Sequence, residues 1–356
     1  MKDRCRIFEG KRVLVTGDTG FKGSWLAYWL NYLGADVFGY SLPPEHSYDH
    51  YALLDLGRTI SHRDGDIRDL PLLRAYMKDA RPEIVFHLAA QPLVRRSYAD
   101  PKTTFDTNIG GSVNIMEAVR DAPSVRALVM ITSDKCYKNK EWCWGYREND
   151  ELGGKDPYSA SKAAAELVFS GYQHSFFAGR ENFGAATVRA GNVIGGGDWS
   201  EDRIVPDCIR ALRRGEPIRL RNPGATRPWQ HVLEPLSGYL LAARSLYEDP
   251  ERFGGSSWNF GPASTGMQSV RDVAEEIIAV WGSGEILVTK KASDPPEAGL
   301  LHLSIDKARS ELGWSPRWDF RTTVEKTAGW YKAVHAGKKA EAMTRQQITE
   351  YMESSP

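Results

Sequence analysis

No run of apolar residues in this 356-residue chain approaches the roughly 20 needed to cross a bilayer, so no spanning helix is expected. Cysteine is scarce. Cys5, Cys136, Cys143 and Cys208 show neither CxxC spacing nor a paired pattern, which argues against a disulfide scaffold and fits free thiols in a reducing cytoplasm. The eight histidines contain no HExxH motif, so no protein-bound metal is expected. Neither sign of charge dominates: 46 Lys and Arg stand against 46 Asp and Glu. Nucleic acid and anionic membrane are therefore not expected as partners. The opening MKDRCRIFEGKRVLVTG has no apolar stretch ahead of the first strand and does not read as a secretory signal. There is no internal repeat and no low-complexity linker. What remains is a globular composition, 41% hydrophobic and 26% charged, at a length that suits an α/β protein with a fused second lobe.

Two periodicities alternate through the first half. Lys11–Gly17 (KRVLVTG) is a short β-branched run ending in glycine, the pattern of a buried parallel strand. Gly20–Leu33 then sets Phe21, Trp25, Tyr28, Trp29 and Tyr32 at helical spacing. Further strands are predicted at Asp36–Ser41, Ile84–Ala89, Ala127–Thr132 and Ala185–Ala190, and helices near Asp69–Asp79, Thr104–Arg120 and Pro157–Ala178. This alternation predicts a Rossmann-type, doubly wound parallel sheet. After Gly195-Gly196-Gly197, read as a flexible break, the alternation becomes irregular. Helices are predicted at Arg203–Arg214 and Ser269–Trp281, with turns at Pro295-Pro296 and Ser315-Pro316. The expected division is a nucleotide-binding domain of residues 1–190 with a returning segment at about 229–260. Residues 191–228 and 261–356 would form a smaller C-terminal substrate-binding lobe.

Gly17-Asp18-Thr19-Gly20-Phe21-Lys22-Gly23 lies between the first strand and the first helix. There a chain must turn sharply, let its backbone approach a pyrophosphate, and pack the helix close to the sheet, which makes these residues the expected dinucleotide loop. The second strand ends in Gly39-Tyr40-Ser41-Leu42, with neither a carboxylate for the adenosine ribose nor an arginine for a 2′-phosphate. Ser41 is the candidate at that end, and the missing cation favours NAD over NADP. Asp66, followed by Ile67, is placed to accept from the adenine amino group or, alternatively, to cap the next helix.

Tyr158 and Lys162 (YSASK) put a phenol and an ammonium one helical turn apart. A phenol with an ordinary pKa near 10 is a poor base at neutral pH. A neighbouring cation, together with the nicotinamide's own positive charge, favours the phenolate and is expected to lower the pKa of Tyr158.

These motifs resemble the extended short-chain dehydrogenase/reductases: TGDTGFKG (Thr16–Gly23), HLAAQ (His87–Gln91), a strand ending in Ser133, and YSASK. The resemblance runs from the first strand to LGWSP (Leu312–Pro316). It implies NAD contacts from Leu88, Ala89, Ala90, Gln91, Thr132 and Arg189, and a hydrogen bond from Ser133 to the reacting hydroxyl. Asp134-Lys135, directly after Ser133, narrows the likeness to sugar-nucleotide 4,6-dehydratases, which usually carry Asp-Glu there. The Lys departs from that pattern and, with TSDKCYKNKEWCWGYRENDELGGKDPYSASK, points to the dehydratases of CDP-hexoses such as CDP-glucose. Those serve 3,6-dideoxyhexose synthesis for bacterial surface polysaccharide. The chemistry then implied is oxidation at C4, loss of water across C5–C6 and hydride return to C6. Asp134 would be the acid at O6 and Lys135 the base at C5, provided that Lys135 is neutral. Substrate contacts are implied for Asn192, Arg227 and Asn259, and for Arg96 and Ser97 in the loop after HLAAQ. The family commonly forms homodimers, with further pairing into homotetramers. The alternatives are another nucleotide-hexose dehydratase, a 4-epimerase or reductase without need of Asp134 and Lys135, and a non-catalytic NAD(P) sensor.

Overall fold

A computed structural model describes residues 1–263, 268–289 and 300–355. Seven strands form one sheet: β1 (Arg12–Thr16), β2 (Asp36–Ser41), β3 (Ser61–Asp64), β4 (Ile84–His87), β5 (Ala127–Ile131), β6 (Gly184–Ala190) and β7 (Ser257–Phe260). Their order is β7-β6-β5-β4-β1-β2-β3, and every neighbouring pair is parallel. β4, β5 and β6 are buried along their whole length. That is why they read as unbroken apolar runs, since a sheet covered on both faces has no polar side. The order in which strands are added reverses between β1 and β4, whose parallel register pairs Thr16 with His87. A crevice opens there at the carboxyl ends of the strands, and the site is built around it.

The helices that matter here are α1 (Phe21–Tyr32), α2 (Leu70–Ala80), α3 (Val94–Ala99), α4 (Gly111–Arg120), α5 (Pro157–Tyr172), α6 (Ile204–Arg214), α7 (Leu233–Glu248), α8 (Val270–Trp281), α9 (Phe320–His335) and α10 (Ala340–Glu353). α1 is unusual in being buried on all sides from Gly23 to Leu30. One side faces the sheet and α10 covers another: Trp29 meets Tyr351 edge-on at 5.8 Å, and the Tyr28 hydroxyl donates to Glu341. His50, stacked on Trp25 at 4.8 Å, hydrogen-bonds Ser24 at 2.8 Å and Thr344 at 3.1 Å. Covering both faces of the first helix explains its tryptophans at helical spacing.

Four details differ from the sequence reading. Gly195–Gly197 is not a flexible break: all three residues are buried, and a Cβ on Gly196 would lie 2.1 Å from the Trp330 ring. The glycines are there for close packing rather than mobility. The helix expected over Thr104–Arg120 is interrupted by a π turn at Asp106–Gly110, and α5 runs into another at Gln173–Phe177. Arg96 and Ser97 sit on α3 rather than in a loop. Pro295-Pro296 lies outside the described residues. The return of the chain to the sheet is β7, which pairs with β6, and α7 packs on β5 and β6.

Candidate active site

The glycine loop leaves β1 at Gly17, whose φ of +76° suits glycine. A Cβ on Gly23 would fall 1.9 Å from the Gly17 carbonyl oxygen, and one on Gly17 would fall 2.7 Å from Ala89 N. The turn therefore closes only with these glycines, and it rests on Leu88 and Ala89 at the end of β4. Gly20 precedes α1 and supplies no side-chain cap, so the N–H groups of the first turn face outward as an anion cradle. A dinucleotide pyrophosphate fits this cradle.

Ser133 lies two residues beyond β5, after Thr132, and caps the single 3-10 turn Asp134–Cys136. Its hydroxyl donates to Asp134 Oδ1 at 3.0 Å and accepts from the Lys135 backbone N–H at 3.2 Å. The neighbouring Tyr158 phenol competes for this one proton, an interaction that works to lower the phenol's pKa. Asp134 is 4% exposed. Burial lifts its carboxyl above the usual carboxylate range, against the pull of Lys135. A carboxyl held toward its protonated form is suited to act as an acid.

Tyr158 and Lys162 lie on α5, which starts at Asp156, whose carboxylate accepts from the Ser159 N–H at 2.9 Å. Both side chains are buried. Burial pushes the Tyr158 phenol up to about 12. The cation that opposes this is Arg203, because Lys162 turns its Nζ toward the Ile131 carbonyl, 3.5 Å away. Burial brings Lys162 itself down to about 8, while Glu166 acts to raise it. Lys22 of the glycine loop is brought down to about 7 by burial, with Lys162 and Arg203 acting in the same sense. Its Nζ lies 3.5 Å from the Tyr239 hydroxyl. Asp134, Tyr158, Lys162, Lys22 and Arg203 thus share one electrostatic neighbourhood at the strand ends.

The family model described as GDP-mannose 4,6 dehydratase matches residues 14–327. A CDP-glucose 4,6-dehydratase of Salmonella typhimurium is 45% identical over 98% of both chains. The chain belongs to the GDP-mannose 4,6 dehydratase family. A dTDP-glucose 4,6-dehydratase of Streptomyces antibioticus is 28% identical over 75% of each chain. Among solved structures, an epimerase from Methanothermobacter thermautotrophicus aligns with TM-score 0.79 at 23% identity, covering 98% of this chain and 97% of that one. The NAD complex of a Bacillus anthracis dTDP-glucose 4,6-dehydratase aligns with TM-score 0.74 at 20% identity, over 92% and 98%. At such identities the structures speak for the fold.

Within this family framework, several residues expected at the cleft are spent inside the protein. Asn259 donates to Tyr146 O at 2.9 Å and accepts from the Tyr137 hydroxyl at 2.8 Å, so its fully buried amide ties the inside of the protein together. Arg189 pairs with Glu166 through two bonds of 2.8 Å and also donates to the Tyr137 hydroxyl and the Glu148 carbonyl. Its guanidinium braces strands instead of meeting a ligand. The Gln91 side chain bonds Leu93 and Thr104. Ser97 donates to Val94 O and accepts from the Tyr158 N–H at 3.2 Å, so it fixes the start of α5. The Asp66 carboxylate is taken by Arg68, and Asp69 rather than Asp66 caps α2. Thr132 donates to Glu166.

Other expected residues stay near the cleft. Ser41 is the last residue of β2, and Ile67 packs beneath Gly111. Asn192 and Arg227 are half-buried, and Arg96 is exposed with Glu45 at 3.8 Å. Ala90 is half-buried just beyond β4.

The sequence reading missed Glu166, Asn108 and Arg203. Glu166 had a signal, standing four residues after Lys162 on the same helical face. Asn108 had none: it joins Gln91 to Ser161 across the π turn.

Proposed function

We propose that this chain is a CDP-glucose 4,6-dehydratase, a hydro-lyase that uses NAD and yields CDP-4-keto-6-deoxyglucose. The observation that carries the reading is the 45% identity over 98% of both chains to a CDP-glucose 4,6-dehydratase. The site supplies chemistry consistent with it. The glycine loop Gly17–Gly23 would hold NAD, which would supply the oxidant for C4 and the hydride for C6. Tyr158 takes the proton of the C4 hydroxyl, which Ser133 orients. Ketone formation makes the C5 proton acidic. Lys135, in its neutral amine form, removes it, and Asp134, already held toward its protonated form, delivers a proton to the departing C6 hydroxyl. Arg203 supplies the positive charge that favours the Tyr158 phenolate, and Lys162, its amine turned to the Ile131 carbonyl, is proposed to hydrogen-bond the nicotinamide ribose. Asn192 and Arg227 are proposed to hold the sugar diphosphate, the latter by its guanidinium fork.

We place the enzyme in the cytoplasm as a homodimer or homotetramer, upstream of 3,6-dideoxyhexose formation for surface polysaccharide. Residues 1–190 with 229–260 would form the cofactor domain and the remainder the substrate lobe. The test is incubation with CDP-, dTDP-, UDP- and GDP-glucose, with NAD and NADP supplied separately. A base-absorbing 4-keto-6-deoxy product from CDP-glucose with NAD is expected. An epimer formed without loss of water would overturn the reading.

A further inference from the structure

Asp18 belongs to the glycine loop, yet the turn itself gives its carboxylate no task. The side chain is completely buried, and two groups hold it. Ser41 Oγ donates to Oδ1 at 3.0 Å, and His62 Nδ1 lies 2.7 Å from Oδ2. Strand β2 makes room for it: a Cβ on Gly39 would fall 2.1 Å from Asp18 Oδ2. The far nitrogen of His62 reaches Asp64 Oδ1 at 3.1 Å, so the ring is committed at both edges. Burial works against a charge on His62, but its two carboxylate partners outweigh that and raise its pKa.

Ser41 closes β2, the position from which an NAD-preferring dinucleotide fold often reads the adenosine ribose with an acidic residue. Here that acid is displaced. It sits in the preceding loop and works through a hydroxyl. Ser41 Oγ also lies 2.9 Å from Thr19 Oγ1, which in turn reaches the Leu42 carbonyl at 2.9 Å.

We propose that Asp18 selects the cofactor, acting through Ser41 to make the end of β2 an acceptor for the ribose 2′-hydroxyl and to exclude a 2′-phosphate. This rests on the reading of NAD as the cofactor. A serine whose one proton goes to a carboxylate has only lone pairs to offer. It accepts from a ribose hydroxyl but cannot donate to a phosphate. A phosphate would also bring about two negative charges toward a buried carboxylate in a medium of low dielectric.

The test uses nicotinamide-free probes, ADP-ribose and ADP-ribose 2′-phosphate, titrated into the full chain by calorimetry. The unmodified chain should bind ADP-ribose the more tightly. Asp18→Asn should shrink that preference by about tenfold, mainly by tightening the 2′-phosphate probe. Ser41→Ala should weaken ADP-ribose by several-fold and leave the 2′-phosphate probe little changed. A folded Asp18→Asn chain with an unaltered ratio overturns the proposal. Should that variant not fold, unchanged ADP-ribose affinity in Ser41→Ala overturns it instead. If the unmodified chain binds neither probe, the cofactor reading fails and this inference falls with it.

Discussion

Asp134 and Lys135 are the residues on which dehydration, as distinct from oxidation, should turn. Asn in place of Asp134 keeps a group of similar size and loses the transferable proton. Asp134→Asn is expected to lower dehydration by about 10²–10⁴, while substrate still reduces bound cofactor in a single turnover followed by absorbance. Equal loss of both steps would assign Asp134 to binding rather than proton delivery. Ser133, Asp134, Tyr158 and Lys162 were legible in the sequence because each lies in a short contiguous motif at a strand or helix end. Arg189, Asn259 and Gln91 also matched positions in motifs, yet they face inward. Their partners, Glu166, Tyr146 and Thr104, are distant in sequence, and no local pattern states which way a side chain turns. The direction of the Lys162 amine was hidden for a similar reason: helical spacing set it beside Tyr158, but it is directed at a strand carbonyl.

At the scale of elements, Glu166 joins most of what the site needs. Its carboxylate takes Thr132 at the end of β5, Thr187 and Arg189 on β6, and stands on α5 with Tyr158 and Lys162. Arg189 carries the connection to Tyr137, just beyond the Asp134–Cys136 turn. Arg189 holds the Glu166 carboxyl below the usual range despite burial. Removing one partner of such a buried pair strands the other charge. Glu166→Gln should therefore cost about 3–5 kcal/mol of stability by urea unfolding. The variant also withdraws the charge that raises the pKa of Lys162, so the alkaline limb of the pH–rate profile should move down. A stability loss without that movement would make Glu166 a brace alone. The strand–helix order of the first half was readable from periodicity, as was the existence of β7 near Phe260. The π turns at Asp106–Gly110 and Gln173–Phe177 were not, because they leave the apolar spacing of the surrounding helix almost unchanged.

For the molecule as a whole, pH should act through buried groups of opposite sense. His50, His87 and His231 are each brought down to about 3 by burial. The unfolded chain protonates them first, so stability falls as pH drops below about 6.5. The loss is roughly 1.4 kcal/mol per pH unit for each, or about 4 for the three together. Glu234 runs the other way. Burial raises it to about 7, so it stabilises the fold at low pH and loses that contribution as pH rises from about 4.5 to 7. The histidines outweigh it, and net stability should decline between pH 6.5 and 5.5. Glu234→Gln isolates the smaller effect: the variant should gain on the unmodified chain by about 2 kcal/mol between pH 5.5 and 7.5 in urea titrations. A constant difference would show that Glu234 ionises no less readily when folded. The cover that α10 lays over α1 also has a consequence for biosynthesis. His50 and Thr344 are 294 positions apart, so a ribosome adding roughly 5–20 residues per second leaves the indoles of Trp25 and Trp29 without that cover for about 15–60 s. A nascent chain should therefore offer chaperones this sticky face until α10 has been made.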